Sequence, residues 1–159
     1  MKRKCLEGDV CPVARALDVV GDWWTLLIIR DAFAGVTRFG DFQKHLGVAK
    51  NILATRLKDM VEQGLLQTSE VGARSEYQLT DKGRALMPVL VTLAQWGEVH
   101  TEPEEGGTRV LDARCLQPLR KVEVFSQDGR LLGIEDIVTQ VPGARCQVPG
   151  ASGLMARTR

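Results

Sequence analysis

Three shortages narrow the reading of this 159-residue sequence: it has no long apolar run, no closely spaced cysteine pair and almost no net charge. The most apolar run, Trp23 to Ile29, is too short to span a bilayer and is closed by Arg30 and Asp31, so no membrane partner is expected. Lys2, Arg3 and Lys4 make the start basic, but Glu7 and Asp9 stand where a signal peptide would carry its apolar segment. The expected location is the cytoplasm. In that reducing compartment the four cysteines, Cys5, Cys11, Cys115 and Cys146, form no CxxC pair, which argues against a disulfide framework or a zinc site. His45 and His100 have no second His or Cys at a metal-binding interval, so no metal or other cofactor is expected. With 21 Lys plus Arg against 20 Asp plus Glu, the formal net charge of +1 gives no global attraction to polyanions. Any nucleic-acid surface must be local.

What the sequence does contain is an ordinary core fraction, 44% hydrophobic, arranged with clear helical and strand periods and no internal repeat. Pro12 after Cys11 opens a first helix carrying Val13, Leu17 and Val20, and Gly21 ends it. Asp22 caps a second helix, apolar on nearly every side from Trp23 to Ile29, in which both tryptophans are expected to pack. Thr37 is the expected cap of a third helix with Phe39, Phe42 and Leu46 on one face, stopped by Gly47. A very short turn leads to a fourth helix, roughly Lys50 to Gln63, with the stripe Leu53, Leu57, Met60 and Val61 opposite Asn51, Ala54, Thr55, Lys58 and Glu62. Gly64 ends it, and 65–69 and 75–79 read as two strands turning at Val71-Gly72-Ala73-Arg74. Thr80-Asp81 opens a long fifth helix with Leu86, Leu90, Leu93, Trp96 and Val99, kinked by Pro88. Further on, 121–125 and 130–134 flank Asp128-Gly129, a hairpin signal. The domains expected are 1–101 as the main helical unit with its hairpin, 102–111 as linker, 112–142 as a small C-terminal β module, and 143–159 as a disordered tail.

Two short helices joined by a tight turn and followed by a hairpin form a winged helix-turn-helix, in which the second helix enters a DNA major groove. The fold class is thus mainly α with a small β-hairpin wing, plus a short β-rich C-terminal extension. Residues 36–64 carry a local surplus of two positive charges, consistent with a polyanionic partner. Winged helices also serve as protein-interaction modules without sequence-specific DNA binding, and that alternative stands beside the DNA reading.

The segments CPVARALDVVGDWWTLLIIRDAF, RFGDFQKHLG, ILATRLKDMVEQGLL and YQLTDKGRALMPVLVTLAQWG closely resemble, in that order, those of HxlR-type winged helix-turn-helix transcriptional regulators of bacteria and archaea. The resemblance covers about Cys11 to His100 and implies a homodimer held by terminal helices, with one winged unit per subunit. This chain has Trp23 where the family often has Lys, Ala49 where it has a hydroxyl cap, and no proline at the wing tip. Family members with a tail like Asp112 to Gly143 resemble small β modules with Cys pairs, whereas Cys115 stands alone here.

In this setting Asn51 and Thr55, four apart on the outward face, are the expected base contacts, because Asn suits a bidentate contact with adenine. Arg38, Lys50 and Lys58 are expected at phosphates, Lys44 among the other DNA-contacting residues, and Arg74 at the wing tip. Arg56 is either a DNA contact or a brace to a carboxylate, the brace being slightly favoured. The dimer face is expected to draw on Val13, Leu17, Leu86, Leu90, Leu93 and Trp96. Cys11 at a helix N-terminus beside the basic arm has the setting of a reactive thiol, and the resemblance adds oxidant or electrophile sensing at this Cys-Pro opening. The plain alternative is a packing residue. The expected partners are duplex DNA, a second copy and a small-molecule or oxidant effector. A thiol peroxidase would need a constellation in an α/β scaffold that this helical pattern lacks, so no enzyme is expected.

Overall fold

The computed structural model describes residues 8–71, 74–102 and 109–139, with the backbone alone at Val71 and Arg74. Cys5, Cys146, most of the expected linker and the expected tail lie outside the described residues. The chain divides into two units, Met1–Gly107 and Thr108–Arg159.

Helix α1, Pro12–Val20, starts at its proline and closes where the Gly21 N–H donates to the Leu17 carbonyl. Helix α2, Trp23–Phe33, is capped by Asp22, whose carboxylate accepts from the Trp24 N–H at 2.9 Å. Ile28 and Ile29 of α2 are completely buried, and Trp24 packs against the same core. Trp23 corrects the sequence expectation, because it is 72% exposed and meets Trp24 edge to face at 5.8 Å. Adjacent helical positions point about 100° apart, so only one of the pair can face the core.

Helix α3, Phe39–Leu46, and helix α4, Lys50–Glu62, are joined by a turn that Gly47 makes possible at φ +61°, a left-handed conformation that side chains with a Cβ disfavour. Thr37 does not cap α3. Arg38 is the N-cap residue, without a side-chain bond, and the Thr37 carbonyl accepts from the Tyr77 N–H at 2.7 Å. That bond ties the α2–α3 connection to the wing. The wing itself is an antiparallel pair, β1, Leu66–Val71, and β2, Arg74–Leu79, in register from Leu66 opposite Leu79 to Val71 opposite Arg74.

The single kinked helix expected after Thr80 is instead two: α5, Asp81–Arg84, and α6, Met87–His100. Pro88 lies in the first turn of α6, where its missing N–H costs nothing, so it begins a new helix and does not bend an old one. The α4–wing–α5 junction is clasped by Thr80. Its hydroxyl donates to the Gly64 carbonyl at 2.6 Å and accepts from the Gly83 N–H at 3.1 Å, while its own N–H donates to the Leu65 carbonyl. Around these elements lies one core of Val20, Val36, Phe42, Leu53, Leu57, Met60, Leu65, Leu66 and Leu79 beside the α2 isoleucines.

The second unit is held by local turns. Asp112 accepts from the Arg114 N–H at 2.7 Å, Leu111 bridges to Pro118, and Phe125 bridges to Leu131 around Gly129 at φ +87°. The turn expected at Asp128-Gly129 is present, but 121–125 and 130–134 do not form strands. Val122, Val124, Phe125 and Leu131 are all exposed, and a lone two-stranded hairpin without a covering layer is marginal. Asp128 is held below the usual carboxylate range by the Ser126 hydroxyl, and Asp136 by the Gly133 N–H and then Arg130.

A Cβ at Gly83 would meet the Leu65 carbonyl oxygen and approach Leu79 Cδ2 to 2.9 Å. Gly→Ala in a helix ordinarily gains stability, so the sign of the change decides whether this contact matters. Gly83→Ala should lose about 1–3 kcal/mol and lower Tm by several degrees in scanning calorimetry. A Tm at or above the parent value would mean that α5 can slide off the junction without cost.

Candidate nucleic-acid interface

Helix α4 is buried along one narrow stripe, Leu53, Leu57 and Met60, which dock under α2 and against the start of the wing. The rest of its first three turns faces outward: Lys50, Asn51, Ile52, Ala54, Thr55 and Lys58 are exposed. Ala49 occupies the N-cap without a side-chain bond, so the first amides of α4 have no side-chain acceptor there. The Thr55 hydroxyl donates to the Asn51 carbonyl at 3.0 Å, which turns its hydrogen inward and leaves its methyl and lone pairs outward.

The cations differ in how firmly they are held. Lys44 is exposed in the last turn of α3, and Lys58 only approaches Glu62 at 3.7 Å with both side chains mostly in solvent. Arg38 Nε donates to Glu76 Oε1 at 3.0 Å, fastening the start of α3 to strand β2 while half of the side chain stays exposed. Together with Phe39, Gly40, Asp41 and Ser75 it lines an open cleft of about 450 Å3 between α3 and the wing. Arg56 is placed differently from its helix neighbours. Its guanidinium reaches Asp22 at 3.2 Å and Asp59 at 3.5 Å, and three quarters of the side chain is covered. The side chain of Arg74 lies outside the described residues, although its backbone forms the last pair before the wing tip.

The remaining sequence candidates separate into two groups. Val13, Leu17, Leu93 and Trp96 are exposed on α1 and α6, joined by Val89 and Val99. Leu86 and Leu90, also expected on the dimer face, are half-buried and pack against the unit's own core. Cys11 is exposed at the N-cap of α1, with its N–H donating to Asp9 Oδ1 at 2.8 Å. Among the described residues no His, Cys, Asp and Glu are grouped so as to hold a metal. Sequence reasoning missed Glu76 and the Arg56 partner Asp22, since both ties join residues far apart in the chain.

The model of the HxlR-like helix-turn-helix family matches residues 19–105, more than half of the chain. The chain belongs to that family. An uncharacterized HTH-type transcriptional regulator of Mycobacterium tuberculosis is 45% identical over 103 residues, a match spanning 63% of this chain and 64% of the relative. The crystal structure of PA1607, a proposed transcription factor, is similar at 50% identity and a TM-score of 0.80, covering 87% of this chain and 98% of that one. The redox regulator HypR in its reduced form is similar at 27% identity and a TM-score of 0.52, covering 56% of this chain and 92% of HypR. In this HxlR-like chain, α3 and α4 are therefore the helix-turn-helix and β1–β2 the wing. No helix among the described residues is long and apolar enough to cross a membrane.

Proposed function

We propose that this HxlR-like protein is a sequence-specific, DNA-binding transcriptional regulator that acts in the cytoplasm as a homodimer. The observation that carries the reading is the one-sided burial of α4, whose exposed face is polar and cationic beside a short hairpin. Such a helix fits a major groove, while Arg38, Lys44, Lys50 and Lys58 meet phosphates and Arg74 reaches the flanking backbone from the wing. Asn51 and Thr55 read bases, Asn51 through its bidentate amide and Thr55 through its methyl and lone pairs. The relative in M. tuberculosis, named a transcriptional regulator, supports the same reading.

The exposed apolar faces of α1 and α6 support a second copy as their cover, since Val13 is 64% and Trp96 59% exposed. Two α4 helices then sit about 34 Å apart on a near-palindromic site. Cys11 lies at the start of α1, where an adduct or disulfide adds bulk beside that face. The likeness to HypR, named a redox regulator, favours Cys11 as the oxidant or electrophile sensor.

Salt-dependent binding to the DNA upstream of the protein's own coding region tests the reading, and indifference to DNA would return the winged helix to a protein-interaction role. Lys50→Ala should weaken binding evenly across sequences and lower the salt slope by about 1, whereas Asn51→Ala should cost roughly 1–3 kcal/mol at one base position. Equal sequence discrimination by Asn51→Ala and the parent protein would count against base reading.

Light scattering at micromolar concentration should return a dimer for the parent protein and a monomer for Trp96→Asp. A monomeric parent removes the dimer.

Mild oxidant should release DNA from the parent protein, reductant should restore binding, and Cys11→Ser should stay bound throughout. If Cys11→Ser releases DNA as readily as the parent, Cys11 is a packing residue.

A further inference from the structure

The stripe Leu53, Leu57 and Met60 holds α4 against the core but does not by itself fix its rotation, because a single row of apolar side chains can roll in its groove. Rotation matters for reading bases. Side-chain tips lie about 6 Å from a helix axis, so a roll of about 20° carries them through about 2 Å, most of a hydrogen bond's length.

Arg56 supplies the missing constraint. It follows Thr55 on the outward face and precedes Leu57 in the stripe, and its guanidinium is turned away from solvent to Asp22 Oδ2 at 3.2 Å and Asp59 Oδ2 at 3.5 Å. Asp22 is not a mobile surface acid. It is the N-cap of α2, fixed by the Trp24 N–H at 2.9 Å, and α2 is the most deeply buried helix of the unit. The Arg56 side chain lines both an apolar crevice with Trp24, Ile28 and Ile52 and a polar cleft of about 210 Å3 with Asp18, Thr25 and Glu62. Its Nε is buried with no hydrogen-bond partner among the described residues, a cost set against the two carboxylates that hold the other end of the guanidinium.

We propose that Asp22 is a positioning residue that acts through Arg56 to set the rotational phase of α4, and with it the base register, without either residue touching DNA. The inference rests on α4 being the DNA-reading helix. An arginine is suited to the task because its planar fork can address two carboxylates at once, which a lysine ammonium on one flexible stem does not do in fixed geometry.

The test uses full-length protein and a duplex selected by the parent from random sequence, set against an unrelated duplex of equal length. Asp22→Asn keeps a side-chain oxygen for the Trp24 N–H but removes the charge that holds Arg56. It should lower the ratio of specific to non-specific affinity by about tenfold, broaden the selected sequence, and leave the salt slope at the parent value. Asp59→Asn, at the more exposed end of the brace, should shift the ratio in the same direction by less, and it carries the test should Asp22→Asn lose its helical circular dichroism. Arg56→Gln should repeat the pattern of Asp22→Asn. A fall of about 1 in the salt slope for Arg56→Gln, with both duplexes weakened together, would make Arg56 a phosphate contact and overturn the proposal. An unchanged affinity ratio and selected sequence in the folded Asp22→Asn or Asp59→Asn protein would overturn it as well. A parent protein with no salt-dependent DNA binding would instead bring down the reading of α4, and the brace with it.

Discussion

Everything exposed on α4 depends on how little of it is buried. Leu53, Leu57 and Met60 are its only fully buried side chains, and burial of each contributes about 1.5–3 kcal/mol. Their sum is comparable to the net stability of a small domain, so the stripe cannot be exchanged for polar residues, and the opposite face is free of any packing demand. The neighbouring elements serve that arrangement. Ile28 and Ile29 form the floor beneath the stripe, Gly47 turns the chain sharply enough to place α3 beside α4, and Leu65 and Leu66 close its far end as the wing begins.

Charge in this molecule is organised by burial more than by number. Lys58 and Glu62 are both mostly in solvent, so their contact is worth a few tenths of a kcal/mol and yields readily to a phosphate. Arg56 and Asp22 are each about three-quarters covered, in a region where water screens them less, and Arg56 has a second carboxylate on its own helix. Two cations two residues apart on one helix thus have different fates. Arg38 lies between these cases, paired to the wing through Glu76 yet half exposed at the mouth of the α3 cleft.

The two units are built on different principles. The first has a continuous apolar core drawn from α1 to α4 and the wing, with Leu90 of α6 packed against it. The second has no buried residue between 109 and 139 and relies on aspartate-anchored turns and two isolated bridges, with Leu116, Phe125 and Ile134 facing outward.

The sequence by itself determined what depends on local backbone chemistry. Pro12 and Gly21 bound α1, Asp22 caps α2, Gly47 makes the turn, and the change from helical to alternating pattern after Gly64 marks the wing, because each acts within a few residues of itself. The face of α4 was legible for the same reason, since its period assigns the stripe and its opposite together. Tertiary structure decided what depends on partners brought from elsewhere in the chain. Thr37 is not the cap because α3 starts one residue later, with the Arg38 carbonyl taking its first bonds, Leu86 and Leu90 pack against the core, and Trp23 is left outside because Trp24 takes the core. The hairpin expected around Gly129 keeps its turn and loses its strands, since a turn is local and a sheet needs something to cover it. Sequence left Arg56 open between DNA and a carboxylate, and only the fold, by carrying Asp22 on the buried helix to the back of α4, gave it the partner that spacing along the chain cannot reveal.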